Sequence, residues 1–266
     1  MTEPVIRLER RGPLGLIWLN RPEALNAMPI PMIGEFNAAV AEADADPEVV
    51  AIAVTGVGRG FCAGIAAGDL GQASASGQRR LEERGIDPQM PAQFANLRSL
   101  RKPVIAAVNG PAAGLGLILA LMSDLRFVAE EAVFVTAFSH RGLLAEHGVS
   151  WLLPRLVGQG RALDLLFSSR RVKGEEAYRI GLADRLLPKD ELIPAVEAYV
   201  ADLAENASPG SLMAMKQMVY RHQDMAFQPA LIEADATATA SLGNADAREG
   251  IAAFVERRKP RFGRLG

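Results

Sequence analysis

The order of segments along this chain predicts an α/β fold, with strands alternating with helices first and helices alone afterwards. Three observations carry that prediction. Residues 49–55 and 104–108 are short continuous apolar runs, the pattern of strands buried on both faces. Each run opens into a glycine-rich turn, and after the second a strongly apolar helical stretch follows at once. Beyond residue 149 the chain reads as helical, with one short strand over 183–187.

The elements follow in order. Residues 5–10 and 14–20 are rich in β-formers and flank Arg11-Gly12-Pro13, which predicts a hairpin. Residues 31–45 place Ile33, Phe36 and Val40 at helical spacing, and the polar segment 44–47 ends that helix. The strand over 49–55 leads into a glycine-studded loop over 56–64. Residues 68–88 are polar and small, as a mobile surface loop would be. A second buried strand, 104–108, precedes a helix over 114–122, and two further strands are expected over 124–129 and 132–136. Residues 104–123 are twenty uncharged residues in a row, enough to span a bilayer. Asn109-Gly110-Pro111 interrupts them with a turn, so a strand, a turn and a buried helix are expected instead. The division expected is a core over residues 1–200 and a C-terminal helical region over 201–266.

Composition narrows the chemistry. The chain has 266 residues, 29 Lys+Arg against 31 Asp+Glu and a net charge of −2, which offers no footprint for nucleic acid or an anionic membrane. Its single cysteine, Cys62, excludes a disulfide framework and any multi-cysteine metal site. The three histidines, His140, His147 and His222, form no HExxH or HxxxH pair, so no metal is expected. The N-terminal segment has mixed charge and no apolar signal core, so a cytoplasmic protein is expected. Catalysis would have to come from carboxylates, backbone amides and at most a histidine or two.

Two strand-to-helix junctions stand out: Phe61-Cys62-Ala63-Gly64-Ile65 and Asn109-Gly110-Pro111-Ala112-Ala113-Gly114-Leu115-Gly116. One reading is purely steric, with glycines permitting tight turns. The other is that each turn presents a free backbone N–H, and two such donors aimed at one point would hold an oxyanion. Neither turn is a Rossmann fingerprint or a P-loop, since the third glycine and the Lys-Ser/Thr pair are missing.

Four segments in order carry a family resemblance over nearly the full length. Arg21-Pro22-Glu23-Ala24-Leu25-Asn26-Ala27-Met28, Phe61-Cys62-Ala63-Gly64, residues 103–124 and the tail Phe254-Val255-Glu256-Arg257-Arg258-Lys259-Pro260-Arg261-Phe262 are similar to segments of the crotonase superfamily, the enoyl-CoA hydratase/isomerase family. The resemblance implies a β-β-α spiral core with a C-terminal helical region that assembles a homotrimer or a dimer of trimers. It implies an acyl-CoA thioester substrate, with coenzyme A part of the substrate and no other cofactor. The oxyanion donors would be the N–H groups of Ile65 and Leu115. Ala24, Asn26 and Ala63 would flank the CoA, and Phe254 and Arg257 would reach it from the tail, often that of a neighbouring subunit. Arg257 and its basic neighbours could equally be a solvated tail.

The acid–base positions depart from the family's hydratases. The two glutamates that would hold a water between them are replaced here by Ile118 and Phe138, and the usual aspartate after the first turn by Ala66. One carboxylate remains in a useful place. Glu146, in Gly142-Leu143-Leu144-Ala145-Glu146-His147-Gly148, aligns with the acidic residue that several isomerases and a dehalogenase carry. A carboxylate set among Leu143, Leu144, Val149 and Trp151 would gain basicity through desolvation. The alternative is that Glu146 caps the helix starting near Gly148. His140 would line the same pocket, orienting Glu146 or relaying a proton, or else be a structural histidine. His147 would point elsewhere if the loop is extended. The expected reaction is double-bond migration in an unsaturated acyl-CoA. The alternatives are a hydratase with non-standard groups, such as Glu146 with His140, and a non-catalytic CoA-thioester binder.

Overall fold

The computed structural model describes residues 3–69 and 92–265. Beyond its first two residues, the loop expected over 68–88 lies outside them. The hairpin forms from β1 (Ile6–Arg11) and β2 (Leu14–Leu19), antiparallel with Ile6 opposite Leu19. Helix α1 (Ile30–Ala45) then crosses back, and β3 (Ala51–Gly56), β4 (Val104–Val108), β6 (Leu125–Ala129) and β9 (Arg185–Leu187) add to β2 in parallel. The resulting six-stranded sheet has the order β1-β2-β3-β4-β6-β9.

Alternation along each strand explains why this sheet is buried on both faces. Leu14, Leu16, Ala51, Ala53, Ile105, Ala107, Phe127 and Ala129 pack with Leu192, Val196 and Val200 of α6 (Leu192–Asn206). The intervening Ile17, Leu19, Ile52, Val54, Ala106, Val108 and Val128 join the larger core with α1 and α2 (Leu115–Met122). Side chains at i and i+2 share a face, so a strand covered on both sides must be apolar throughout. All eight residues of α2 are buried. The apolar run that could have read as a membrane span is thus a strand and an enclosed helix. Among the described residues no helix is long and apolar enough to cross a membrane.

A second sheet was not expected. Two-residue strands β5 (Ala112–Ala113) and β8 (Val172–Lys173) flank β7 (Val133–Val135) in the order β5-β7-β8. Segments of two residues show no periodicity, and only their long-range partners make them strands. Further α-helices among the described residues are α3 (Val149–Val157), α4 (Gln159–Ser168), α5 (Gly174–Arg179), α7 (Pro209–His222), α8 (Phe227–Ser241) and α9 (Ala245–Glu256). A boundary after residue 200 would cut through α6, whose buried face belongs to the core; the helical extension begins after Asn206.

Candidate active site

The two glycine-rich turns meet. Cys62 pairs with Ala112 in a parallel bridge: the Cys62 N–H donates to Pro111 (3.0 Å) and the Ala113 N–H to Cys62 (3.0 Å). Ile65 bridges Met28 through the neighbouring groups, with the Met28 N–H donating to Gly64 (2.8 Å) and the Ala66 N–H to Met28 (3.0 Å). Parallel pairing that uses the flanking carbonyl and amide turns the Ile65 N–H to the opposite side. Leu115 is the first residue of α2, where an N–H has no partner within its own helix. Among the described residues neither the Ile65 nor the Leu115 N–H has an acceptor. Two unpaired donors from adjoining turns, one at a helix N-terminus, are suited to hold an anionic oxygen.

Glycine makes that approach possible. Gly64 has φ +112°, and a Cβ there would stand 3.1 Å from the Ala113 carbonyl oxygen and 3.8 Å from the Leu115 nitrogen. A Cβ on Gly116 would meet the Cys62 carbonyl oxygen at 2.1 Å. Asn109 holds the ends of β3 and β4 together from below. Its side-chain amide donates to the Gly56 carbonyl (2.8 Å) and accepts from the Gly56 N–H (3.1 Å).

The positions where the resemblance implies the hydratase glutamates are in the core: Ile118 and Phe138 are both buried and carry no polar group. Ala66 is half-buried. Glu146 sits in the loop before α3 with its side chain 28% exposed. Glu146 precedes α3, which begins after Gly148, and its backbone carbonyl accepts the Val149 N–H (3.2 Å). Of the loop leucines expected to cover it, Leu143 is 38% and Leu144 82% exposed.

The histidine beside Glu146 is His147. Its Nε2 lies 3.6 Å from Glu146 Oε1, and its Nδ1 accepts the Gln93 backbone N–H at 3.0 Å. His140, expected to line the pocket, lies exposed in the short 3-10 turn Ser139–Arg141. The loop is not extended there: His147 has φ +53°, and its side chain is 5% exposed. The glycine after it was the available signal, since left-handed residues cluster at such turns. Gln93 is buried, and among the described residues both polar atoms of its side chain lack a hydrogen-bond partner.

The residues expected to flank CoA divide in two groups. Ala24 and Ala63 are half-buried beside each other's loops, with the Ala63 N–H donating to Leu25 (3.0 Å). Asn26 is wholly buried with φ +58°, and its side chain is spent on the backbone. It accepts from the Arg21 N–H (2.8 Å) and donates to the Val57 (3.0 Å) and Gly60 (2.8 Å) carbonyls. Asn26 therefore shapes the loop and presents no free amide to a ligand. Phe254, 85% exposed, and Arg257 lie at the end of α9, and no described hydrogen bond or ion pair joins them to Ala24, Asn26 or Ala63.

Two other polar candidates have structural roles. Burial pushes the Cys62 thiol up to about 12, so it is not a thiolate near neutral pH. Asp124 fixes a strand end: it accepts the Val104 N–H (2.6 Å), pairs with Lys216 Nζ (2.8 Å) and accepts the Tyr220 hydroxyl.

A spiral of two sheets around a buried helix, with two glycine turns offering unpaired amides, defines a crotonase-fold enzyme. The chain belongs to the enoyl-CoA hydratase/isomerase family, whose model matches residues 9–264. It is 37% identical over 266 residues to a probable enoyl-CoA hydratase of Rhodobacter capsulatus, covering 98% of this chain and 99% of that one. It is 33% identical over 276 residues to the 1,2-epoxyphenylacetyl-CoA isomerase of Escherichia coli, covering 98% and 99%. The crystal structure of an enoyl-CoA hydratase from Polaromonas sp. JS666 superimposes with a TM-score of 0.87 at 28% identity, covering 97% of this chain and 99% of that one.

Proposed function

We propose that this enzyme moves the double bond of an unsaturated acyl-CoA through an enolate, with Glu146 as the proton shuttle. The observation that carries the reading is the placement of carboxylates. The two positions that would hold an attacking water are buried Ile118 and Phe138, whereas Glu146 is half-exposed in the loop before α3. The thioester oxygen would accept the Ile65 and Leu115 N–H groups. Glu146 removes a proton from C2 of a 3-enoyl thioester; the electron pair delocalises onto that oxygen and the C3–C4 π system. The same proton, delivered to C4, leaves the 2-enoyl product. Donors that strengthen as the oxygen gains charge lower the barrier more than they tighten substrate binding. Glu146→Gln keeps the shape and removes the base. It should lower turnover of 3-enoyl-CoA by about 10²–10⁴-fold, and full turnover in that variant sinks the assignment.

A second reading is water addition by non-standard groups, favoured by the hydratase name of the Rhodobacter relative. It requires 3-hydroxyacyl-CoA to appear from 2-enoyl-CoA well above background.

CoA would lie along Ala24 and Ala63, with Phe254 and Arg257 supplied by a neighbouring subunit of a homotrimer or dimer of trimers. The apolar surface of the last helices supports that assembly: α8 has no buried residue, and Phe227, Ile232 and Val255 are exposed. Sedimentation mass distinguishes a trimer or hexamer from a monomer.

A further inference from the structure

We infer that His147 is the positioning residue of the acid–base site, holding Glu146 through an imidazole whose proton is fixed on Nε2. The inference rests on the reading of Glu146 as proton shuttle and adds the group that aims it.

Three observations carry it. First, Nδ1 of His147 accepts the Gln93 backbone N–H at 3.0 Å. A nitrogen that accepts must present its lone pair, so in the neutral ring the proton sits on Nε2. Second, that Nε2 faces Glu146 Oε1 at 3.6 Å, with the imidazole side chain only 5% exposed. The separation is longer than a hydrogen bond, as catalytic contacts often are before substrate closes the site. Third, His147 takes up a left-handed backbone (φ +53°) directly before Gly148 (φ +78°). Conformations of that kind persist where the surroundings demand them, and the residue that adopts this one carries a ring buried beside Glu146.

The consequence is chemical. When that contact tightens, Nε2–H holds Oε1 and limits how the carboxylate can rotate. The fixed element is the backbone of Gln93, 54 residues away in the chain, so the ring is anchored by a group that does not titrate.

The test exploits the two ends of imidazole. The amide nitrogen of glutamine reaches where Nε2 stands, while the shorter asparagine reaches only where Nδ1 stands and tolerates a left-handed backbone. His147→Asn should lower kcat on 3-enoyl-CoA by about 10–100-fold, the cost of a misplaced catalytic group, with KM within about threefold. His147→Gln should recover most of the lost kcat. ¹⁵N NMR of the wild-type protein, with signals assigned by substituting each of the three histidines, should show the Nε2–H form for His147 near neutral pH. An Nδ1–H signal overturns the inference, as does wild-type kcat in His147→Asn. If Glu146→Gln is inactive while either of those results is found, only the positioning role fails. If Glu146→Gln turns over normally, the shuttle reading fails and the positioning role falls with it.

Discussion

Gly116 and Cys62 approach so closely that any Cβ on Gly116 would sit 2.1 Å from the Cys62 carbonyl oxygen. The first turn of α2 is thereby pressed against the turn that carries Ile65. Gly116→Ala must push the two turns apart. We expect a loss of about 1–3 kcal/mol in unfolding free energy, typical of overpacking in a filled core. We also expect a fall in kcat of about 10²–10³-fold if one oxyanion donor is displaced. Thermal denaturation and steady-state kinetics on the purified variant check both, and unchanged kcat would separate the turn from the chemistry.

Cys62 shares that contact and is wholly buried, with its thiol raised to about 12 by desolvation. Below that value it remains protonated, and alkylation needs thiolate. At pH 8 the native protein should resist iodoacetamide for hours and react fully once unfolded. Rapid modification by mass spectrometry, with activity lost, would show that the turn opens.

Gln93 donates its backbone N–H to His147, while among the described residues its buried side-chain amide has no partner. An unsatisfied buried amide costs about 1–3 kcal/mol. Gln93→Met, of similar size, should therefore raise the unfolding free energy by that order in urea denaturation. Destabilisation would mean the amide is satisfied in solution.

Asp124 joins the end of α2 to helix α7 through Lys216 and Tyr220. Burial lowers the Lys216 pKa and raises that of Tyr220, so both lean on the carboxylate. Removing one member of a buried pair leaves an uncompensated charge, at about 3–5 kcal/mol. Asp124→Ala should lose stability of that order, and Lys216→Met with Asp124→Asn should lose less than Asp124→Ala alone. A double-mutant cycle measured by denaturation decides it.

Glu249 ties down the tail by accepting from Arg258 (2.6 Å) and from the Arg261 N–H (2.7 Å), and the Arg258 bonds lower its pKa to about 2. A depressed carboxylate contributes its full share above the ordinary value of 4.5 and loses it as pH falls toward 2. Exchange of the Arg261 amide, corrected for intrinsic rate, should accelerate across that window and be insensitive to it in Glu249→Gln.

Much of the molecule is legible in its sequence because burial on both faces leaves a local signature. The hairpin, the strands β3 and β4, the turn at Asn109-Gly110-Pro111 and the buried helix α2 all follow from periodicity and punctuation. Ile118 and Phe138, which stand where the family resemblance implies the hydratase carboxylates, are enclosed by the core. Tertiary structure decided the rest. Strands β5 and β8 exist only because β7 lies between them. That His147 lies beside Glu146, with its Nδ1 accepting a backbone N–H 54 residues away, is also tertiary. Periodicity records which side of an element is buried; it holds no information about the backbone of a single loop residue or about a partner distant in the chain.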